Sequence, residues 1–327
     1  MKKNIGYLLI FASIIVLKGE LLGKVENVYN LLPCKALIDS VRSITIADTN
    51  IENIEGKAFL FAEALVSKKD SSLPYLSETI KDSMNDWKLR FVSVEMLSQI
   101  SQNDESAEIL AKILKNEKEH PYLRGVCAFR LGSMGKKEYF PLLIHNLKDK
   151  NIYVRERAIW GLDLLNDPRA IQPLIQCLDD SYYMVQILAI QTLGNLKANE
   201  SFAPLKRKLD ANDIPEYPEI VKHKVVRAIT SIGGAEARTI LLEIVSDHNY
   251  GKLRVIAVEG LENYKDEEVK NKLFSVLNDK DERFQVCVAK VLMKITPLKA
   301  KPVIEGILND TKSEYIKSEI KELLKTY

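Results

Sequence analysis

The chain has 327 residues, of which 46% are hydrophobic and 28% are charged. It contains only 14 Gly and 11 Pro, which excludes a disordered or collagen-like chain and favours a mostly helical one. Its 47 basic and 45 acidic side chains give a formal charge of +2, too weak a basic field to favour nucleic acid as a partner.

The first 23 residues have the pattern of a secretory signal. Lys2 and Lys3 precede a mostly apolar, uncharged run over residues 4–17, which is too short to span a membrane comfortably. The usual Ala-x-Ala cleavage pattern is absent, so an uncleaved N-terminal anchor in the membrane is the alternative. We therefore predict an exported bacterial protein of the periplasm or cell envelope, with residues 1–23 as signal or anchor and residues 24–327 as the folded part.

One short pattern recurs through the rest of the chain. It consists of an apolar residue that Arg often follows, a small residue four positions on and an apolar residue eight positions on. The nine copies begin at residues 54, 89, 123, 154, 185, 224, 253, 284 and 316, which are 29 to 39 residues apart. Repeats of this length are typical of stacked helical units.

A second apolar stripe precedes these copies. Phe140, Leu143, Ile144 and Leu147 form one such stripe, at the spacing of a single helix face. A polar turn such as residues 149–151 then separates the two helices. Since one helix pair cannot bury its own apolar face, the units are predicted to stack into an all-α solenoid.

The residues of the fourth and fifth copies resemble a known family. The segments 154–158 (Val-Arg-Glu-Arg-Ala) and 166–174 (Asn-Asp-Pro-Arg-Ala-Ile-Gln-Pro-Leu) are similar to the short HEAT repeats of the phycobilisome-lyase type. The resemblance covers about residues 30–325 and implies a right-handed superhelix of about nine helix pairs, forming a single domain over residues 24–327.

The resemblance also implies a ladder of side chains that braces successive repeats. In this family an Asp of the turn between the helices and the Arg after the first apolar residue form its rungs. Gln186, Val225 and Gln285 interrupt the Arg column here. The residues carried over to this ladder are Arg90, Arg124, Asp149, Arg155 and Arg254.

The second helices of such repeats line the concave surface, and their outward stripe is unusually apolar in the middle of the chain. Solvent would favour charged residues at these positions, so we predict an apolar groove that receives a partner. The alternative is that helix contacts bury these side chains as ordinary core. The candidate groove residues are Tyr122, Phe129, Tyr153, Arg157, Trp160, Met184 and Leu188.

The sequence offers little for catalysis. The four histidines lie in four different repeats without metal-binding spacing, and the four cysteines are at least 50 residues apart. Cys127 and Cys177 occupy small apolar positions of helical stripes and are predicted to be buried thiols. No Gly-rich phosphate loop or nucleophile elbow occurs, so we predict no catalytic residue, no metal and no cofactor.

Together these features predict an exported, non-catalytic scaffold that holds another protein or a peptide segment in its concave groove, without nucleic acid. The alternative, which follows the family resemblance, is a bilin-lyase-like enzyme or chaperone that binds a planar hydrophobic ligand in the same groove. A structural spacer without a groove is the third reading.

Overall fold

The computed structural model describes residues 32–47, 61, 63–211 and 216–327, and none of these residues lies in a β-strand. Segment 1–23 and the repeat that begins at residue 54 lie outside the described residues. The chain forms two compact units, a first unit that ends at Leu165 and a second unit that begins at Asn166.

The first unit contains helices α1 (Cys34–Ala47), α2 (Leu73–Lys81), α3 (Trp87–Ile100), α4 (Asp104–Lys115), α5 (Pro121–Ser133), α6 (Phe140–Asn146) and α7 (Ile152–Leu165). The second helices of three successive repeats, α3, α5 and α7, pack side by side. Their shared core is built from the apolar residues of the sequence pattern, because Leu97, Leu131, Val154 and Leu162 are completely buried. The small residues Cys127 and Ala158, also completely buried, let neighbouring helices approach.

The second unit contains α8 (Ile171–Gln176), α9 (Tyr183–Asn195), α10 (Phe202–Asp210), α11 (Pro218–Ile232), α12 (Gly234–Ser246), α13 (Leu253–Leu261), α14 (Glu267–Ser275), α15 (Glu282–Ile295), α16 (Pro297–Asp310) and α17 (Glu314–Thr326). Here too the second helices, from α9 through α11, α13 and α15 to α17, pack against one another in chain order.

Short polar residues fix where the helices begin. The Asp86 carboxylate accepts a hydrogen bond from the Lys88 amide at 2.8 Å, and the Asn103 side chain accepts one from the Ser106 amide at 2.8 Å. Pro121 opens α5 at a position where the missing amide hydrogen costs nothing. Such caps satisfy amides that the helix itself leaves free, so the turns predicted from sequence become the ends of these helices.

The predicted all-α, HEAT-type solenoid is confirmed. Stacked helix pairs build both units, and none of the described helices is long and apolar enough to cross a membrane. Cys127 and Cys177 are buried free thiols, as predicted, and burial raises the pKa of Cys127 well above its usual range. The prediction that residues 24–327 form one domain stays a prediction.

Candidate functional site

Two glycines bring α5 and α7 into backbone contact. A Cβ atom on Gly132 would lie 2.2 Å from the carbonyl oxygen of Gly161, and one on Gly161 would lie 2.7 Å from that of Ala128. Any larger residue at either position would drive one backbone into the other. These glycines therefore set how closely the outward faces of α5 and α7 can meet.

The outward faces of α5 and α7 carry what we call the Trp160 cluster, made of Phe129, Tyr153, Arg157 and Trp160. The rings of Phe129 and Trp160 meet edge to face with centroids 6.3 Å apart. The Arg157 guanidinium lies 4.7 Å from the centre of the Tyr153 ring and 5.9 Å from that of Phe129. These three rings are half-buried, so they are partly open to solvent and are not ordinary core.

Arg130 and Glu95 border the cluster. The Arg130 guanidinium lies 5.1 Å from the centre of the Phe129 ring and forms an ion pair with Glu95. Arg157 is different, since no carboxylate among the described residues forms an ion pair with it. Its hydrogen-bond donors therefore remain available to a ligand.

A line of stacked rings, which we call the ring row, leads away from the cluster along the starts of the second helices. It consists of Trp87, His120, Tyr122 and Tyr153. The Trp87 and His120 rings are parallel within 8° at 3.8 Å, and Tyr122 lies 5.7 Å from each of them and 4.4 Å from Tyr153. Tyr122 is 41% exposed. The row joins three successive repeats through their aromatic side chains.

Sequence reasoning missed two members of the ring row. Trp87 was not singled out, and His120 was treated as an isolated histidine because it has no metal-binding neighbours in the sequence. The signal was nevertheless present: in three successive repeats an aromatic residue or His lies one to three positions before the apolar residue that begins the pattern. Burial lowers the pKa of His120, although the nearby Glu119 and Asp86 act in the opposite direction, so this ring is mostly neutral at neutral pH.

Glu156 is a third residue that was not singled out from the sequence. It is half-buried on α7, three residues after Tyr153 and four before Trp160, so it shares their helix face. Burial raises the pKa of its carboxyl, while Arg157 and Arg155 lower it by a smaller amount. The Glu156 carboxyl thus adjoins the cluster on the same helix as the Arg157 guanidinium.

Arg124, Arg155 and Asp149, three residues assigned to the ladder, are joined by contacts across successive repeats. Arg124 binds the Asp149 carboxylate through two nitrogens, the longer contact being 3.2 Å. Arg155 also reaches Asp149, but at its backbone carbonyl oxygen, 2.9 Å away. Asp149 therefore receives the Arg of the preceding repeat on its side chain and that of its own repeat on its backbone.

The other rungs follow the same rule with acceptors that the sequence did not predict. Arg90 pairs with Glu119 at 2.8 Å, and Arg254 pairs with Asp279 at 2.8 Å. At one interruption, the Gln186 amide donates to the backbone carbonyl of Asp180 at 2.6 Å, which replaces only the backbone half of the rung.

These ion pairs perturb the carboxyls that they involve. Burial alone would raise the pKa of Asp149, but hydrogen bonds from Arg124 and from the Asn151 amide hold it below its usual value. The pKa of Asp279 is lowered in the same way, against burial, by Arg254 and the Asp281 amide. Both carboxyls are ionised at neutral pH and act as fixed braces.

The predicted groove residues do not all fall in one unit. Tyr122, Phe129, Tyr153, Arg157 and Trp160 lie together in the first unit, whereas the half-buried Met184 and Leu188 belong to α9 of the second. Among the described residues, no group of three or more His, Cys, Asp or Glu side chains could hold a metal ion. The candidate site in the first unit is therefore a surface of aromatic rings with the Arg157 guanidinium and the Glu156 carboxyl beside them.

A family model for HEAT repeats matches residues 108–184, 171–254 and 240–325. The curated phycocyanobilin lyase subunit alpha of Nostoc sp. (strain PCC 7120) is 24% identical over 182 residues, which are 54% of this chain and 64% of that protein. The matched part is thus somewhat less than two thirds of the relative's length.

Two solved structures are similar in shape to parts of this chain. The complex of CpcE and CpcF of phycocyanin lyase from Nostoc sp. PCC7120 is 19% identical, with a TM-score of 0.42, and the match covers 77% of this chain and 92% of that one. The Escherichia coli protein YibA is 18% identical, with a TM-score of 0.49 and coverage of 92% and 96%.

The sequence comparison corrects one expectation. The prediction that the chain has no enzymatic role is wrong, because the curated relative that it matches is a subunit of a lyase. That prediction depended on the lack of compact catalytic motifs, whereas a repeat protein can spread its functional groups over several helices.

Proposed function

The chain belongs to the HEAT-repeat family, and from its match to a phycocyanobilin lyase subunit we propose that it is a bilin-lyase-like protein that binds a linear tetrapyrrole on the first unit. The Trp160 cluster is the observation that carries this proposal. There, partly exposed rings adjoin the Arg157 guanidinium, which forms no ion pair with a carboxylate of the described residues.

The chemistry of a bilin matches that surface. A linear tetrapyrrole is flat, conjugated and apolar over most of its area, and its propionate side chains are carboxylates. Half-buried aromatic rings provide van der Waals contact for such a surface, and they hold little conformational entropy to lose. Arg157 provides planar N–H donors that fit a carboxylate in a bidentate manner.

The ring row supports the cluster from one side. Tyr153 has Tyr122 at 4.4 Å and Arg157 at 4.7 Å from its ring centre, so both neighbours restrict its rotation. Trp87 and His120 continue this contact into the two preceding repeats. The row acts as a stiff edge that keeps Tyr153 and Arg157 in place before a ligand arrives, which lowers the entropy lost on binding.

Titration with phycocyanobilin, followed by its visible absorbance, tests the proposal. Wild-type protein should bind the pigment and change its spectrum. Trp160→Ala and Arg157→Gln should each weaken binding about tenfold or more, because each removes a principal contact. The matched controls are Tyr315→Ala and Arg207→Gln, an exposed ring and an exposed guanidinium of the second unit, and these should bind as wild type does.

Circular dichroism would first establish that each variant is folded. If the wild-type protein leaves the pigment spectrum unchanged, or if the control variants lose as much affinity as the cluster variants, the first unit is not a bilin site.

We also propose a protein partner, since the matched relative is named as a subunit. A photoreactive amino acid at position 160, compared with one at position 265, would test this by crosslinking in cells. A protein adduct confined to position 160 supports a partner over the cluster, and equal labelling at both positions contradicts it. Export to the periplasm or cell envelope stays a prediction, since residues 1–23 lie outside the described part of the chain.

A further inference from the structure

Glu156 is a half-buried carboxyl without a direct partner in the described part of the chain. No hydrogen bond or ion pair engages it there, whereas the carboxylates of Glu95, Glu119 and Asp149 each bind an arginine. Removing a carboxylate from water without giving it a hydrogen-bond donor is costly. A ligand that donates a hydrogen bond to Glu156 would offset this desolvation cost, so the carboxyl favours a ligand with a hydrogen-bond donor.

The position of Glu156 relative to Trp160 is also specific. Successive residues of a helix are rotated by about 100°, which places Glu156 and Arg157 on opposite flanks of the line formed by Tyr153 and Trp160. A flat molecule lying along this line would therefore have a carboxyl on one side and a guanidinium on the other. The Glu156 carboxyl could then bind basic or N–H groups of this molecule while the Arg157 guanidinium binds its carboxylates.

Few other charges act on this carboxyl. Arg157 and Arg155 act on it from its own helix. On the helices packed against α7 within the first unit, the charged or basic side chains are those of Arg124, Arg130 and His145. The first two are bound to Asp149 and Glu95, and His145 is exposed to solvent. Their charges are thus compensated or screened, and Glu156 keeps its capacity for a ligand.

We infer that Glu156 accepts hydrogen bonds from the pyrrole N–H groups of the bound tetrapyrrole and is the counter-ion of its protonated form, while Arg157 binds a propionate. This inference rests on the proposed function and specifies how the same surface recognises its ligand. A carboxylate beside the pyrrole nitrogens stabilises their protonated state, so the bound pigment should keep its proton to a higher pH than the free pigment does.

The test is a pH titration of protein-bound phycocyanobilin, read from the long-wavelength band of the protonated pigment. Glu156→Gln should lower the midpoint of this band by about one pH unit or more, a tenfold change in proton affinity. It should also weaken binding about tenfold, as expected for losing a hydrogen bond to a charged group. Glu156→Asp, which keeps the charge on a shorter side chain, should give a midpoint between the two.

Glu138→Gln is the matched control, since Glu138 is an exposed carboxyl of the same unit, and it should behave as wild type. If Glu156→Gln binds the pigment with the wild-type midpoint and affinity, the inference is wrong and the proposed bilin site stands. If the wild-type protein does not bind phycocyanobilin at all, both the inference and the proposed function are wrong.

Discussion

The two units are built from the same kind of repeat but are braced differently. In the first unit, Arg90 and Arg124 each bind an acidic residue of the next repeat. In the second unit, Arg254 does the same with Asp279, whereas Gln186, Val225 and Gln285 occupy the corresponding position in three other repeats. The helices stack in both units, so stacking does not require an arginine rung in every repeat. Two of these arginine rungs lie in the first unit, which carries the ring row and the Trp160 cluster, and one lies in the second.

The two units also differ in how closely their neighbouring second helices approach each other. Between α5 and α7, glycine faces glycine and the backbones are in contact. Between α9 and α11 of the second unit, Gly194 faces Ala228, and a Cβ atom on Gly194 would lie 3.1 Å from the Ala228 Cα. The first unit thus combines the tightest helix contact with its exposed aromatic surface, an arrangement that rigidly positions the rings.

The largest effect should come from breaking a buried rung in the first unit. Arg124 and Asp149 are 1% and 8% exposed, so Arg124→Ala would leave a buried carboxylate without its partner. We expect a loss of about 3–5 kcal/mol in the free energy of unfolding, measured by urea denaturation. Arg207→Ala, which breaks an exposed pair with Asp179, should cost less than about 1 kcal/mol. Equal losses of unfolding free energy for the two variants would show that the buried ion pair contributes no more to stability than the exposed one.

Gly132→Ala should have the next largest effect, because its Cβ atom would collide with the backbone of Gly161. We expect a loss of about 1–3 kcal/mol and a weaker affinity for phycocyanobilin, since Phe129 and Trp160 would move apart. Gly306 of α16 is the matched control, because nothing lies within 4 Å of its Cβ position. Gly306→Ala should stabilise the protein by up to about 1 kcal/mol, and a destabilisation as large as that of Gly132→Ala would contradict the argument.

The pH dependence of stability should be moderate and should depend on the rungs. Asp149 and Asp279 have pKa values below their usual range in the folded protein, so the unfolded chain binds their protons more tightly. Their stabilising contribution is complete at neutral pH and is lost as the pH falls below about 4. Urea midpoints between pH 7 and pH 3 should therefore fall more steeply for the wild type than for Asp149→Asn, and parallel curves would exclude Asp149 as a contributor.

Gly125→Ala should have the smallest effect on stability. The added Cβ atom would lie 2.5 Å from the Tyr153 ring, and a partly exposed side chain can rotate away more easily than a backbone can. We expect a cost of less than about 1 kcal/mol but a clear change in near-ultraviolet circular dichroism, as Tyr153 leaves Tyr122 and Arg157. An unchanged spectrum would mean that the ring row adjusts without losing its stacking.

Much of the fold could be predicted from the sequence because its determinants repeat. The residues that begin the pattern, such as Leu123 and Val154, recur at a spacing typical of stacked helix pairs. The arginine ladder followed from the family resemblance, since Arg124 and Arg155 occupy equivalent positions. Both features depend only on the residue type at each repeat position, which can be taken directly from the sequence.

The candidate site could be predicted only in part. Tyr122, Phe129, Tyr153 and Trp160 emerged from helix geometry, but the stacking of Trp87 on His120 depends on side-chain rotamers across two repeats. Glu119 was not expected to bind Arg90, because it lies outside the Asp position of the family pattern. Glu156 was missed because being unpaired is a property of three-dimensional surroundings, which one-dimensional spacing does not reveal.

The contact between Gly132 and Gly161 has a mechanical consequence. Two helices whose backbones touch cannot move closer, and separating them would open an unfilled gap in a close-packed interior. We therefore expect α5 and α7 to move together, so a bulky ligand would be accommodated by exposed side chains at the edge of the cluster and not by a change in the helix spacing. The speed of ligand entry would then be set by rotamer exchange in nanoseconds and not by slower bending of the solenoid.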